Sequence, residues 1–337
     1  MATERPSKKK MSDIARLAGV SESTVSRALA GSKLIAKKTR DRVVAIAREQ
    51  NYSINKQAQN LRLQSSKTVS VIIPVVHEPQ QPVSDPFFLE LLGAIADALT
   101  ERNYDLLLSR VKADDWQARV SGHNYVDGLI VIGQSAIHPA LDDYAKINTQ
   151  PLVVWGAKLA DQRYITVGAD NLLGGNLATE HLIDRGRRRI VFLGDPALPE
   201  VDQRHAGYRQ ALAAAGIHLP EQYTVKCGFS VASGHQALEY LLNSDIEFDA
   251  IFAASDLLAT IALKHLHQKH LAVPEEVSVI GFDDISLANH TMPALSTVSQ
   301  NIRAGGRVLV NNLFCQMQGD DVDSQVIKPT LVVRHSS

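Results

Sequence analysis

Two periodicities divide the chain. Through about its first fifty residues, apolar positions recur at three- and four-residue intervals, the spacing of one face of an α-helix. Ile14, Ala15, Leu17 and Ala18 predict one short helix, closed by Gly19, a residue that takes positive φ without strain. Val20 can fill the angle to a second helix, and Ser21 suits its N-cap. On that second helix Val25, Ala28 and Leu29 turn inward, which leaves Glu22, Ser23, Ser26 and Arg27 facing outward. A third helix is predicted from about Lys37 to Gln50, with Val43, Ile46 and Ala47 inward. From Thr68 onward the pattern changes to continuous apolar runs alternating with amphipathic stretches. The runs "TVSVIIP", "YDLLLS", "VDGLIVIG", "PLVVWG", "RRIVFLGD", "FDAIFAAS" and "VSVIGFDD" read as buried strands, and "LVVRH" near the end as one more. Phe88–Glu101 and Leu173–Arg185 read as helices between them. Such alternation predicts an α/β fold with parallel sheets covered on both faces. The span of about 270 residues is large for one such sheet, so two lobes with a cleft between them are expected, ligands binding at the carboxyl ends of the strands.

Charge changes the picture at the N-terminus. Residues 1–67 hold 15 lysines and arginines against 5 acids, a net of +10, so on a chain of net charge −1 the remainder carries −11. A basic segment with helical periodicity on an acidic body points to a polyanion partner. Helix, glycine turn and polar-faced helix together predict a helix-turn-helix, whose second helix enters the DNA major groove. Arg27 can donate twice to guanine O6 and N7, Glu22 can accept from cytosine N4, and Ser23 and Ser26 suit base edges or phosphates.

The segments "DIARLAGVSESTVSRALAG" and "KKTRDRVVAIAREQNYSINKQAQNLR" closely resemble the DNA-binding headpiece of the LacI/GalR family of bacterial transcription regulators. The resemblance continues through the rest of the chain. It implies a headpiece over residues 1–54, a hinge segment over 55–67 and an effector-binding, dimerising body over 68–337, built on the periplasmic-binding-protein fold with three crossovers between lobes. The lobes are expected at about 68–165 plus 296–322 and 166–295 plus 323–337. The resemblance implies DNA contacts from Glu22, Ser23, Thr24, Ser26 and Arg27, from Tyr52 and Asn55, and from Ala58 and Leu61 in the hinge. There A-x-x-L matches the family's hinge helix, with Ala58 permitting close approach of two such helices and Leu61 wedging between base steps. A helix this short and polar is marginal by itself, so it orders on DNA. One departure stands out: Ala36 occupies the place where the family carries a capping serine or threonine on the third helix.

Strand ends supply the ligand candidates. "DPFF" opens a helix after the first strand, and its Phe87 and Phe88 can stack on a ring; Trp155 ends "PLVVW". Arg204, Phe229, Ser255, Asp256, Asp283 and Gln300 follow in later loops. The family resemblance matches Arg204 to its R-x-x-G arginine, Asp283 to its G-[FY]-D-D aspartate, Phe229 to an aromatic before S-x-x-S-G, and Ser255 to a common asparagine. Arginine and aspartate can grip vicinal hydroxyls while aromatics cover the apolar face of a sugar ring. Taken singly, Arg204 suits a surface or capping position, Asp283 a helix cap, and the aromatics a core.

The remaining chemistry is exclusionary. Cys227 and Cys315 stand far apart with no C-x-x-C, which fits buried thiols better than a disulfide or a zinc site. No run of apolar residues is long enough for a membrane span, and "MATERPSKKK" lacks the apolar stretch of a secretory signal, so a cytoplasmic chain is expected. His265, His267 and His270 do not share one helix face, and no metal or cofactor is expected. "LLGGNLATEH" has paired glycines at the wrong spacing for a dinucleotide loop, and no nucleophile-elbow, H-E-x-x-H or Walker motif is present. The expectation is a sequence-specific repressor, not an enzyme, dimeric on a near-palindromic operator and controlled by a small molecule, most readily a saccharide. With no leucine heptads after the last strand, a tail-mediated tetramer is not expected. The alternative, a sugar-processing or sugar-binding protein with a basic tail, leaves the helical periodicity of the first fifty residues unexplained.

Overall fold

The computed structural model describes residues 9–29, 31–52, 65–75, 81–112, 115–116, 126–134, 137–147 and 150–337. The hinge positions Asn55, Ala58 and Leu61 lie outside them. The chain divides into two compact units, Met1–Ser66 and Lys67–Ser337.

Among the described residues the first unit holds three helices, α1 (Met11–Ala18), α2 (Glu22–Leu29) and α3 (Lys37–Glu49). Their core is Ile14, Ala15, Ala18, Val25, Ala28, Val43 and Ala47, ringed by half-buried Val20, Leu29, Ile46 and Tyr52. Gly19 ends α1 at φ 62°, and the N–H of Val20 reaches back to the Ala15 carbonyl at 3.0 Å, a left-handed stop that aims the chain into α2. Leu17 departs from the expected stripe, being 52% exposed. At 3.6 residues per turn it lies roughly 105° around the helix from the centre of the face made by Ile14, Ala15 and Ala18. Ser21 caps α2, its Oγ accepting from the Thr24 N–H at 3.2 Å.

The second unit holds two sheets of six strands each. The first lobe comprises β1 (Thr68–Val75), α4 (Pro86–Thr100), β2 (Asp105–Lys112), β3 (Gly128–Ile132), α5 (His138–Ile147), β4 (Leu152–Trp155) and β5 (Ile165–Ala169). The chain then enters the second lobe: α6 (Asn171–Asp184), β6 (Ile190–Leu193), α7 (Pro199–Ala214), β7 (Thr224–Val225), α8 (Val231–Asn243), β8 (Ala250–Ala253), α9 (Asp256–Gln268), β9 (Ser278–Asp283) and β10 (Ser296–Ser299). Helix α10 (Ile302–Gln318) packs back on α4, β11 (Gln325–Ile327) closes the first sheet, and β12 (Thr330–Val332) closes the second. The strand orders are β11-β5-β4-β3-β1-β2 and β12-β10-β9-β8-β6-β7. All pairings are parallel except β10 with β12.

Three connectors join the lobes, at Asp170, at Gln300–Asn301 and at Lys328–Pro329, and these correct the expected lobe boundaries. β5 pairs with β4 and β11, so the first lobe runs on to Ala169. β10 pairs with β9, so 296–299 belongs to the second lobe and the first lobe resumes only with α10. It then continues through β11 to Ile327, beyond the expected 322.

Helices α6 and α7 cross at backbone contact. A Cβ on Gly175 would stand 2.0 Å from the Arg204 carbonyl oxygen, and one on Gly207 would stand 2.1 Å from that of Leu172. The paired glycines of "LLGGNLATEH" are therefore a packing feature, and the glycine of R-x-x-G is its counterpart on the other helix.

Helix α3 begins weakly. Ala36 takes the extended conformation of an N-cap (φ −56°, ψ 139°) but offers no side-chain oxygen, and the first turn carries no acid. Its first two residues, Lys37 and Lys38, put positive charge at the positive end of the helix dipole. Ala36→Ser should stabilise the headpiece by about 0.5–2 kcal/mol. The check is a urea titration of the full chain, following headpiece helicity for wild type and variant; an unshifted midpoint would show that those N–H groups already have partners.

Candidate functional site

The carboxyl ends of the strands of both lobes converge on a cavity of about 380 Å³. Its second-lobe wall is organised by Arg204, one and a half turns into α7. Arg204 is 5% exposed. Its Nε donates to Asn171 Oδ1 at 2.9 Å, one Nη donates to the Ala254 carbonyl at 2.5 Å, and the guanidinium lies 3.8 Å over the Phe282 ring. Burial lowers its pKa, opposed by the charges of Asp283, Glu200 and Asp256. Asp283, at the end of β9, adopts φ 127° and accepts from Gln300 Nε2 at 2.5 Å. Burial raises its pKa to about 7, with Arg204 pulling it down and Asp85 pushing it up.

The first-lobe wall is aromatic. Asp85 caps α4, its Oδ1 accepting from the Phe87 N–H at 2.9 Å, and this presents Phe87 and Phe88 side by side with ring centroids 5.7 Å apart. Trp155, at the end of β4, stands 6.2 Å from Phe87. Phe229 lines the cavity from the loop before α8, where Ser230 caps the helix through the Ser233 N–H. Ser255 also lines it while its Oγ caps α9 through the Leu258 N–H.

Of the residues expected to meet a ligand, Phe87, Phe88, Trp155, Arg204, Phe229, Ser255, Asp283 and Gln300 line this one cavity. Asp256 does not, and the expectation for it is corrected. Its side chain is fully buried, Oδ1 accepting from Thr297 Oγ1 at 2.5 Å and Oδ2 from the Ile285 N–H at 2.9 Å. Asp256 ties the start of α9 to β10 and to the loop after β9. Burial, followed by the charge of Asp283, raises its pKa well above the carboxylate range.

Sequence reasoning passed over Gln81, Asp85, Arg110, Asp195 and Glu200, which also line the cavity. Three had a signal. Arg110 extends a predicted strand by one residue beyond "YDLLLS"; Asp195 ends "RRIVFLGD"; and Glu200 stands four residues before Arg204, on the same face of α7.

In the headpiece, Glu22, Ser23 and Arg27 are exposed and Thr24 and Ser26 half-buried on α2. The hydroxyls of Ser23 and Thr24 lie 2.8 and 2.9 Å from Ser21 Oγ. Arg27 has no partner among the described residues. Tyr52 packs half-buried against the core, where burial and then the charge of Glu22 raise its pKa. Among the described residues no group of three or more histidines, cysteines or acids is placed to hold a metal, and no helix is long and apolar enough to cross a membrane. Cys227 is buried and Cys315 half-buried, both as free thiols.

Residues 10–55 match the family of bacterial regulatory proteins called the lacI family, and residues 179–337 match the periplasmic binding protein-like domain. The ribose operon repressor of Escherichia coli (strain K12) is 30% identical over 334 residues, covering 97% of this chain and 99% of that protein. The regulator AscG of the same organism is 32% identical over 316 residues, 92% of this chain and 93% of its own length. Among solved structures, the lac repressor dimer bound to operator and the anti-inducer ONPF superposes with a TM-score of 0.83 at 26% identity, covering 98% of this chain and 99% of that one. The CelR–cellobiose complex gives 0.71 at 29% identity, covering 99% and 100%. The match runs through headpiece and body in the same order, and this chain belongs to the lacI family of bacterial regulatory proteins.

Proposed function

We propose that the chain is a cytoplasmic repressor that reads a near-palindromic operator as a homodimer and is controlled by a saccharide held in the cleft of the body. The observation that carries the sensor half is the convergence of Arg204 and Asp283 from one lobe with Phe87, Phe88 and Trp155 from the other on a single cavity. A guanidinium and a carboxylate side by side can grip neighbouring hydroxyls, and flat apolar rings suit the face of a pyranose or furanose. Relatives support the class: one solved regulator of the family holds ribose and another cellobiose. A binding protein rather than an enzyme is the reading these regulators favour.

The reader half rests on α2, whose outward side chains are polar and whose inward ones are buried. One headpiece reads a half-site, so a two-fold dimer reads two. The DNA-facing set is Glu22, Ser23, Thr24, Ser26 and Arg27, with Tyr52, Asn55, Ala58 and Leu61 toward the hinge. The domain division into headpiece, hinge segment and body follows the same logic. A ligand that prefers one arrangement of the lobes shifts the population toward it, and operator binding reports the shift.

Two outcomes are expected. Arg27→Ala should weaken operator binding by about 1–3 kcal/mol per half-site and relax the preference at one base pair, as read by gel shift on an operator series. Equal losses on operator and random DNA would reassign Arg27 to phosphate. In calorimetry, a saccharide that changes operator affinity should itself bind more tightly or weakly by the same factor when operator is present, typically about 5–150-fold. Arg204→Lys should erase this response by removing the fork that grips hydroxyls while leaving ligand-free operator binding in place. A variant that responds as wild type does would remove Arg204 from the effector site.

A further inference from the structure

The charges on the cavity wall are unbalanced. Four carboxylates line it, Asp85, Asp195, Glu200 and Asp283, against the two guanidiniums of Arg110 and Arg204. The cations are partly engaged. Arg204 spends Nε and one Nη on Asn171 and Ala254, and Arg110 spends one Nη on the Gln81 carbonyl at 3.0 Å. The Arg110 Nε is buried without a partner.

The acids come from both lobes. Asp85 opens α4 in the first and Asp283 ends β9 in the second, and each is all but buried, at 5% and 6% exposure. They are near enough for the charge of Asp85 to act on Asp283. Asp85 keeps acceptor capacity. Its Oδ1 takes the Phe87 N–H and its Oδ2 takes Gln81 Nε2 at 2.9 Å, and an ionised carboxylate has about four acceptor directions. Asp283 takes Gln300 Nε2 on Oδ1 and a backbone N–H of Asp256, and likewise keeps acceptor capacity.

We infer that the effector is an uncharged polyol whose hydroxyls donate to Asp85 in one lobe and Asp283 in the other, that phosphorylated and carboxylated sugars are turned away, and that Asp85 is the specificity-determining residue of the first lobe. The inference rests on the saccharide reading above and narrows it. A hydroxyl donates and accepts, so it fits a wall rich in acceptors. A phosphate or uronate group only accepts at neutral pH, and it brings a full negative charge into a partly desolvated site whose acids outnumber its cations four to two. Where both are ionised, Asp85 and Asp283 repel each other as the cleft closes, and hydroxyls donating to both offset that repulsion in the closed form.

The test is calorimetry on the full chain with glucose, ribose and cellobiose as neutral probes and glucose 6-phosphate, ribose 5-phosphate and glucuronate as anionic ones. The neutral member of a matched pair should bind at least about tenfold more tightly than its anionic counterpart. Asp85→Asn preserves a good N-cap for α4, so the fold is retained, and it should shrink that ratio. A phosphate ester that binds as well as its parent sugar overturns the charge selection while leaving a saccharide sensor in place. A ratio unchanged by Asp85→Asn, in a variant of unaltered melting temperature, overturns the role of Asp85. No binding by any probe overturns the saccharide reading itself, and this inference with it.

Discussion

The body is arranged around one buried positive charge. Removing a guanidinium from water costs several kcal/mol unless hydrogen bonds and counter-charges replace the solvent. Around Arg204 that replacement is drawn from three separate parts of the lobe. The side chain of Asn171 starts α6, the carbonyl of Ala254 follows β8, the ring of Phe282 lies in β9, and Asp283 ends that strand. Placing all of them within reach requires α6 and α7 to pass at backbone distance, which is why Gly175 and Gly207 face each other's helix with no room for a methyl group. The same geometry leaves the outer edge of the guanidinium turned to the cavity. The candidate ligand site is thus the unfinished side of a structural cluster.

The headpiece rests on different terms. Its core is small, four of its seven buried members are alanines, and its third helix starts without a cap. Burial on this scale yields a marginal unit. A marginal reading head suits a regulator whose output depends on ordering at DNA, since the protein–DNA contacts can supply the stability that the free unit lacks.

Much of this was legible in the chain, for definable reasons. The strands that read clearly, such as "TVSVIIP" and "VSVIGFDD", are buried on both faces and so are continuously apolar. Those that did not read, β5, β7, β10 and β11, are short, and three of the four residues of β10 ("STVS") bear hydroxyls. It is buried because the Ser296 and Thr297 hydroxyls find partners in the Arg334 N–H and the Asp256 carboxylate, a long-range condition that periodicity does not record. Asp256 and Asp283 illustrate the same limit at the site. Both follow apolar strands, yet one carboxylate is consumed by a threonine and a backbone N–H while the other faces the cavity. Leu17 was misplaced because an apolar side chain at nearly helical spacing still falls outside a narrow buried face when the helix has only two turns.

The connectors between the lobes have a mechanical consequence. Two bodies joined at three places resist sliding and bending and retain little freedom beyond a rotation about the line through the joints. The joints are short, and the first is pinned to the strand that enters the third, the Asp170 N–H donating to the Ile327 carbonyl at 2.9 Å. The second contains Gln300, whose amide is held by Asp283 inside the cavity. A molecule that bound Asp283 would compete with a residue of that joint. The cleft and one of the three joints thus share a hydrogen bond, so the cavity wall and the pivot are not separate parts of the molecule.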